Sequence, residues 1–100
     1  MSLLFDRDPA KALRNERKHG VRFEIARRVF ADPFVLVEQD RAEGGEFRWQ
    51  AIGDAGGLAV MIVAHTYVDG EDKIIRIISA RYATPGERRN YGRHVRAQQL

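Results

Sequence analysis

The chain has 100 residues, of which 44% are apolar and 31% charged, which is typical of one folded domain and excludes a second domain or a largely disordered chain. It contains no cysteine, which excludes disulfides and zinc–thiolate sites. It also contains no apolar run as long as a signal peptide or a membrane span, so we expect a cytoplasmic protein without a membrane partner. The net charge is +3 and 14 of the 17 basic residues are arginine, concentrated at both ends around an acidic middle, which favours a polyanionic partner.

The first third of the chain predicts two short amphipathic helices. Asp8 is a candidate N-cap before Pro9, and a helix is expected over about residues 9–19 with Gly20 as its left-handed C-cap. Its apolar stripe, which includes Leu13, is expected to face the core. A second helix follows and ends at residues 32–33, and residues 3–5 are an apolar stretch able to start the edge of a sheet.

From residue 34 the pattern changes to that of strands. A β-prone run over residues 34–37 leads into a predicted acidic loop over residues 40–46, and an alternating segment, 47–52, is expected to bury Phe47 and Trp49. Turns at residues 53–57 and 69–70 separate two further strands, 58–67 and 73–79. The hairpins predict an antiparallel sheet of about four strands.

The last segment opens with Thr84-Pro85-Gly86-Glu87, which combines an N-cap, a proline at the first helical position and the glutamate of a capping box. The helix that follows is rich in arginine and is expected to end before Gln98, with frayed last residues. The whole chain is thus predicted to be one α+β domain over residues 1–100, with two helices before the sheet and one after it.

Several segments match a known family in their order and spacing. They are Phe5–Lys11, Asn15–Val21, Phe23–Ala26, Arg48 with Ala51–Gly53, Arg76–Arg81, Glu87-Arg88 and Tyr91. Together they resemble the BrnT family, which often has an aromatic residue where this chain has Arg7.

This resemblance implies a RelE-like fold and a ribonuclease toxin that blocks translation. It further implies a cognate BrnA-like antitoxin that neutralises the toxin in a hetero-oligomer, and promoter DNA as a partner only through that complex. Because fold analogy does not show activity, the residues have to be weighed separately.

Metal-free RNA cleavage requires cations that hold the phosphate and groups that move protons. Arg48, Arg76 and Arg81 are the candidates for the phosphate, because arginine is unusual inside strands. Lys18 and Arg88 are candidate RNA-binding residues.

The candidates for proton transfer are His19, His65 and Tyr91, so the predicted catalytic set also includes these three. Each has a structural alternative: His19 as a helix cap, His65 as a hydrogen-bonded core histidine, and Tyr91 as a contact that packs the last helix onto the sheet.

No metal or cofactor is expected, because the acidic residues of the middle segment lack the spacing of a calcium loop and are interpreted as solvated. The alternative to a ribonuclease is a nucleic-acid-binding or partner-binding module that uses the same arginines without hydrolysis.

Overall fold

A computed structural model describes residues 3–6, 8–68 and 74–99, without the side chain of Glu43. The predicted turn at residues 69–70 and the first residue of the predicted strand 73–79 lie outside these ranges. The elements in chain order are β1 (Leu4–Asp6), α1 (Pro9–His19), α2 (Phe23–Ala26), a 3-10 helix (Arg27–Ala31), β2 (Leu36–Glu43), β3 (Glu46–Asp54), β4 (Val60–Tyr67), β5 (Ile74–Tyr82) and α3 (Pro85–Gln98).

Both ends of α1 and the start of α3 lie where the capping residues predict them, whereas α3 extends through Gln98, before which it was expected to end. Asp8 Oδ1 accepts a hydrogen bond from the Lys11 backbone N–H at 3.2 Å, and Gly20 closes α1 at φ 70°. At α3 the capping box is complete, since Thr84 Oγ1 accepts from the Glu87 N–H at 3.2 Å and Glu87 Oε1 accepts from the Thr84 N–H at 2.8 Å. The second predicted helix is a single α-helical turn, α2, that continues as the 3-10 helix.

The rotation of α1 differs from the prediction. Leu13 was expected to face the core but is 50% exposed, whereas the buried residue of α1 is Asn15, at 5% exposure. Asn15 faces inward because its amide hydrogen-bonds to the backbone of Ala80 in β5, which determines how the helix is rotated.

Among the described residues, five strands form one mixed sheet in the order β1-β5-β4-β3-β2. The prediction of about four antiparallel strands is therefore corrected. The pairs β2–β3, β3–β4 and β4–β5 are antiparallel, but β1 pairs with β5 in parallel, with Phe5 opposite Ile75. The apolar stretch at residues 3–5 does begin an edge strand, but its partner lies about 70 residues away along the chain.

The prediction of an acidic loop over residues 40–46 is wrong. Strand β2 continues to Glu43, β3 begins at Glu46, and Gly44 and Gly45 connect them in a two-residue turn with φ values of 60° and 79°. Two positive φ values are what a tight hairpin turn of this kind requires, and glycine adopts them without strain. Arg41 consequently lies on a strand.

The core lies between the sheet and the helices that precede β2. One face of the sheet contributes Ala51, Val63, Ile75, Ile77 and Ala80, and Val21, Ala26 and Val29 pack against it. Trp49 is partly buried as expected, but Phe47, near the end of the β2–β3 hairpin, is 56% exposed, so its predicted place in the core is wrong. The ranges 3–6, 8–68 and 74–99 contain no helix long and apolar enough to cross a membrane.

Candidate functional site

The sheet face opposite the helices carries two arginines on either side of a threonine. Arg76 pairs with Thr66 in the β4–β5 register, and the β3–β4 register, which ends at Trp49 opposite His65, places Arg48 next to Thr66 on the other side. Because neighbouring strands are about 4.8 Å apart, the backbones of Arg48 and Arg76 are separated by about 10 Å. Thr66 is 1% exposed and both arginines are partly buried. We call Arg48, Thr66 and Arg76 the arginine row.

The arginine row continues at both ends. At one end the Arg76 Nε–H donates to Asp6 Oδ2 at 2.7 Å, which joins the edge strand β1 to the row. At the other end Arg41 lies opposite Arg48 in the β2–β3 register. Sequence reasoning missed Arg41 because it placed this residue in a loop, although the Gly44-Gly45 pair is a signal for a two-residue hairpin turn that extends both strands.

Arg81 lies on the same face of the sheet as the arginine row, but farther along β5. It pairs with Ile62, four residues before Thr66 on β4, which corresponds to about 14 Å along the strand. Arg81 follows Arg76 by five positions, an odd number, which in a regular strand would put the two side chains on opposite faces. A register shift between β4 and β5 at Ala64/His65 adds one residue to β5, and the extra residue puts both arginines on one face.

Arg81 forms a bidentate ion pair with Glu87 of the α3 capping box. Its Nη1 and Nη2 atoms donate to Oε1 and Oε2 at 2.7 and 2.9 Å. The hydrogen bonds from Arg81 lower the pKa of Glu87 to about 2, and the carboxylate in turn raises the pKa of Arg81. Arg81 thereby joins the end of the sheet to the start of α3.

His65 lies on the other face of the sheet and is fully buried. Its ring contacts Phe30 edge-on at a centroid distance of 4.9 Å and Tyr67 at 5.2 Å. The two ring nitrogens are 3.2 Å from the Val63 carbonyl oxygen and 3.3 Å from the Tyr67 hydroxyl. Burial lowers the pKa of His65, which favours the neutral imidazole. The sheet itself separates this ring from the arginine row, and its surroundings are those of the structural alternative, a core histidine.

Lys18 and His19 form the last turn of α1, on the helix side of the sheet. His19 is partly buried and Lys18 is exposed. His19 follows Asn15 by about one helical turn, and Asn15 bonds to Ala80, so His19 lies alongside the C-terminal half of β5. The structure does not bring these two residues together with Arg48 and Arg76.

Tyr91 of α3 also lies away from the arginine row. Its hydroxyl donates a hydrogen bond to Asp32 Oδ2, which also accepts from the Asp54 N–H at 2.8 Å, while Asp32 Oδ1 accepts from the Phe34 N–H at 2.9 Å. Burial raises the pKa of Asp32, but the hydrogen bonds from Tyr91 and the backbone outweigh it and lower the pKa. Burial and Asp32 together raise the pKa of Tyr91. These contacts attach α3 to the chain after the 3-10 helix, the packing role that was the alternative for Tyr91.

Comparison with known proteins identifies the family. The family model described as "Ribonuclease toxin, BrnT, of type II toxin-antitoxin system" matches residues 8–87. The chain belongs to the BrnT family. Among solved structures it is similar to the 1.1 Å crystal structure of the Brucella abortus ribonuclease toxin, BrnT, with a TM-score of 0.62 and 26% identity over 84% of this chain and 97% of that chain. No curated protein matches the chain.

Membership in the BrnT family confirms the resemblance and the α+β fold class. The matched segment contains the arginine row, Arg81, His19 and His65, and it ends at Glu87. Tyr91 and all the α3 arginines, including the predicted RNA-binding residue Arg88, lie beyond it. Arg88 is exposed, and its Nη1 donates to the Ala83 carbonyl at 3.0 Å.

Proposed function

We propose that this BrnT-family chain cleaves RNA without a metal ion, with Arg48 and Arg76 binding the phosphate at which the strand is cut. The observation that carries the proposal is the arginine row, in which two arginines lie on one sheet face with a single strand between them. In the cell, cleavage inhibits translation until a BrnA-like antitoxin binds the toxin in a hetero-oligomer.

The chemistry needs positive charge where the reaction develops negative charge. As the 2′-oxygen forms a bond to the neighbouring phosphorus, it passes its proton to water, and the bond from phosphorus to the 5′-oxygen breaks as that oxygen takes a proton from water. Negative charge builds on the phosphate oxygens during this step, and planar guanidinium groups bind such oxygens in pairs. Asp6 orients the Arg76 guanidinium through the 2.7 Å bond at Nε. None of His19, His65 and Tyr91 lies on this face of the sheet, so the proposal assigns Arg48 and Arg76 charge stabilisation and leaves these three residues out of the catalytic set.

Expression in a bacterium without the antitoxin tests the function. We expect the wild-type chain to arrest growth and both Arg48→Gln and Arg76→Gln to relieve the arrest. Arg14→Gln, which removes an exposed charge from α1, is the matched control and should stay toxic. Normal growth with the wild-type chain would refute the toxin function, and full toxicity of both variants in their folded form would refute the site.

Purified protein tests the reaction itself. We expect RNA cleavage that persists in a chelator, that stops when the antitoxin is added, and that falls by about 10²-fold in kcat for Arg76→Gln. Cleavage that a chelator abolishes would contradict the metal-free mechanism. Binding of RNA without any cleavage would instead support the alternative of a binding module.

A further inference from the structure

The outward face of α3 carries four arginines that line a shallow groove. Arg88, Arg89, Arg93 and Arg96 surround Gly92 and Pro85, and the groove has a volume of about 350 Å³. All four arginines are exposed. We call these six residues the arginine groove.

The charge of this groove is not compensated within the part of the chain that the structure describes. There, no carboxylate forms an ion pair with any of the four arginines: Arg88 donates to the Ala83 carbonyl, and Arg93 donates to the Asn90 side-chain oxygen. In the sequence of α3 the sole acidic residue is Glu87, and Arg81 already occupies its carboxylate. Cations three and four residues apart on a helix repel one another, so an anion in the groove would relieve this repulsion.

We propose that the arginine groove binds the sugar-phosphate backbone of the RNA substrate, outside the point of cleavage. This inference rests on the proposed function. The guanidinium fork fits phosphate oxygens, and the helical rise places Arg93 about 6 Å and Arg96 about 10.5 Å from Arg89 along the axis, a spaced series of cations that suits a repeating anion.

Two further observations support an extended RNA strand as the occupant. Gly92 contributes no side chain to the groove, and Arg96 Nη1 would lie 3.4 Å from an added Cβ, so the Arg96 guanidinium covers the helix backbone there and a phosphate in the groove would meet it. The groove also begins at Pro85, three residues after the end of β5, the strand that carries Arg76 and Arg81. An RNA bound along that strand therefore leads toward α3.

Binding of RNA at different salt concentrations tests the groove directly. The variant is Arg89→Gln/Arg93→Gln, the control is Arg14→Gln/Arg17→Gln on the exposed side of α1, and the probe is a labelled single-stranded RNA with 2′-O-methyl groups, which the enzyme cannot cleave. Each phosphate contact adds about 0.7 to the slope of log K against log salt for a single strand, so the groove variant should lose about 1.4 in slope. The control, which has the same net charge, should keep the wild-type slope.

Cleavage kinetics separate the groove from the site of reaction. For a long RNA we expect the groove variant to raise KM roughly tenfold with kcat unchanged, whereas cleavage of a trinucleotide should not change. Equal slopes and equal KM values for the groove variant and the control would overturn the inference. So would a groove variant that loses binding of the antitoxin but not of RNA, since the occupant would then be a protein. If the wild-type chain cleaves no RNA but the groove variant still loses salt slope, the proposed function fails and the groove remains an RNA-binding surface.

Discussion

The Asn15 side chain forms hydrogen bonds with the backbone of β5 that a neighbouring strand would form in a wider sheet. Replacing Asn15 should therefore destabilise the protein strongly. Within the described residues, strand β1 pairs with residues 74–76 of β5 and does not reach the backbone of Ala80. There the Asn15 side chain accepts from the Ala80 N–H and donates to the Ala80 carbonyl, both at 2.9 Å, and it also donates to the Val21 carbonyl at 2.9 Å.

The expected size of the effect follows from these three hydrogen bonds. Asn15→Leu keeps a side chain of similar size but removes all three, and each is worth about 1 kcal/mol net, so the free energy of unfolding should fall by about 3 kcal/mol. The loss of stability should exceed about 3 kcal/mol, because the Ala80 N–H and the two carbonyl groups would stay buried without hydrogen-bond partners. At about 4–8 °C per kcal/mol for a domain of this size, the loss corresponds to a decrease in Tm of about 12–24 °C.

Urea denaturation followed by circular dichroism measures this loss. The control is Leu13→Ala, two residues away in the same helix, which should cost about 1 kcal/mol or less because half of the Leu13 side chain is already exposed. If Asn15→Leu is no more destabilising than the control, then Asn15 does not hold α1 against β5 and the reasoning fails.

Three further predictions concern Tyr91, Glu87 and His65. Tyr91→Phe removes the hydroxyl that hydrogen-bonds to Asp32, so we expect the free energy of unfolding in urea to fall by about 1 kcal/mol while RNA cleavage is retained. Loss of cleavage at unchanged stability would instead give Tyr91 a catalytic role. The folded-state pKa of Glu87 is depressed from 4.5 to about 2, so its contribution to stability is complete above pH 4.5 and is lost as the pH falls toward 2. The difference in Tm between the wild type and Glu87→Gln should therefore shrink over that range, and a constant difference would contradict the ion pair. Burial lowers the pKa of His65, so the unfolded chain takes up a proton first and the wild type should lose stability as the pH falls below about 6.5. His65→Gln should reduce this slope of stability against pH, and equal slopes would show that the ring is not buried in the neutral form.

Features that depend on a few neighbouring residues could be predicted from the sequence. The N-caps Asp8 and Thr84 and the C-cap Gly20 bond to backbone groups three or four residues away, and α1 and α3 begin at the expected positions. The alternation of Arg76 with Ile75 and Ile77 also predicted that Arg76 lies on the sheet face away from the core. In the structure both isoleucines are buried and Arg76 lies on the other face of the sheet.

Only the tertiary structure shows which of the predicted residues lie together in the candidate site. His65 lies in β4, where both faces carry apolar residues, so alternation does not show which side the helices cover. Arg81 reaches the same face as Arg76 because of the β4–β5 register shift, and a register shift depends on how two strands pair.

The sequence alone thus determined both ends of α1, the start of α3, the α+β class and the BrnT resemblance, because caps, periodicity and motif spacing act between residues close together in the chain. The tertiary structure decided the parallel pairing of β1 with β5, the rotation of α1, the arginine row and the burial of His65. These features depend on contacts between residues far apart in sequence, whose free energies are gained only when the sheet and the helices pack together.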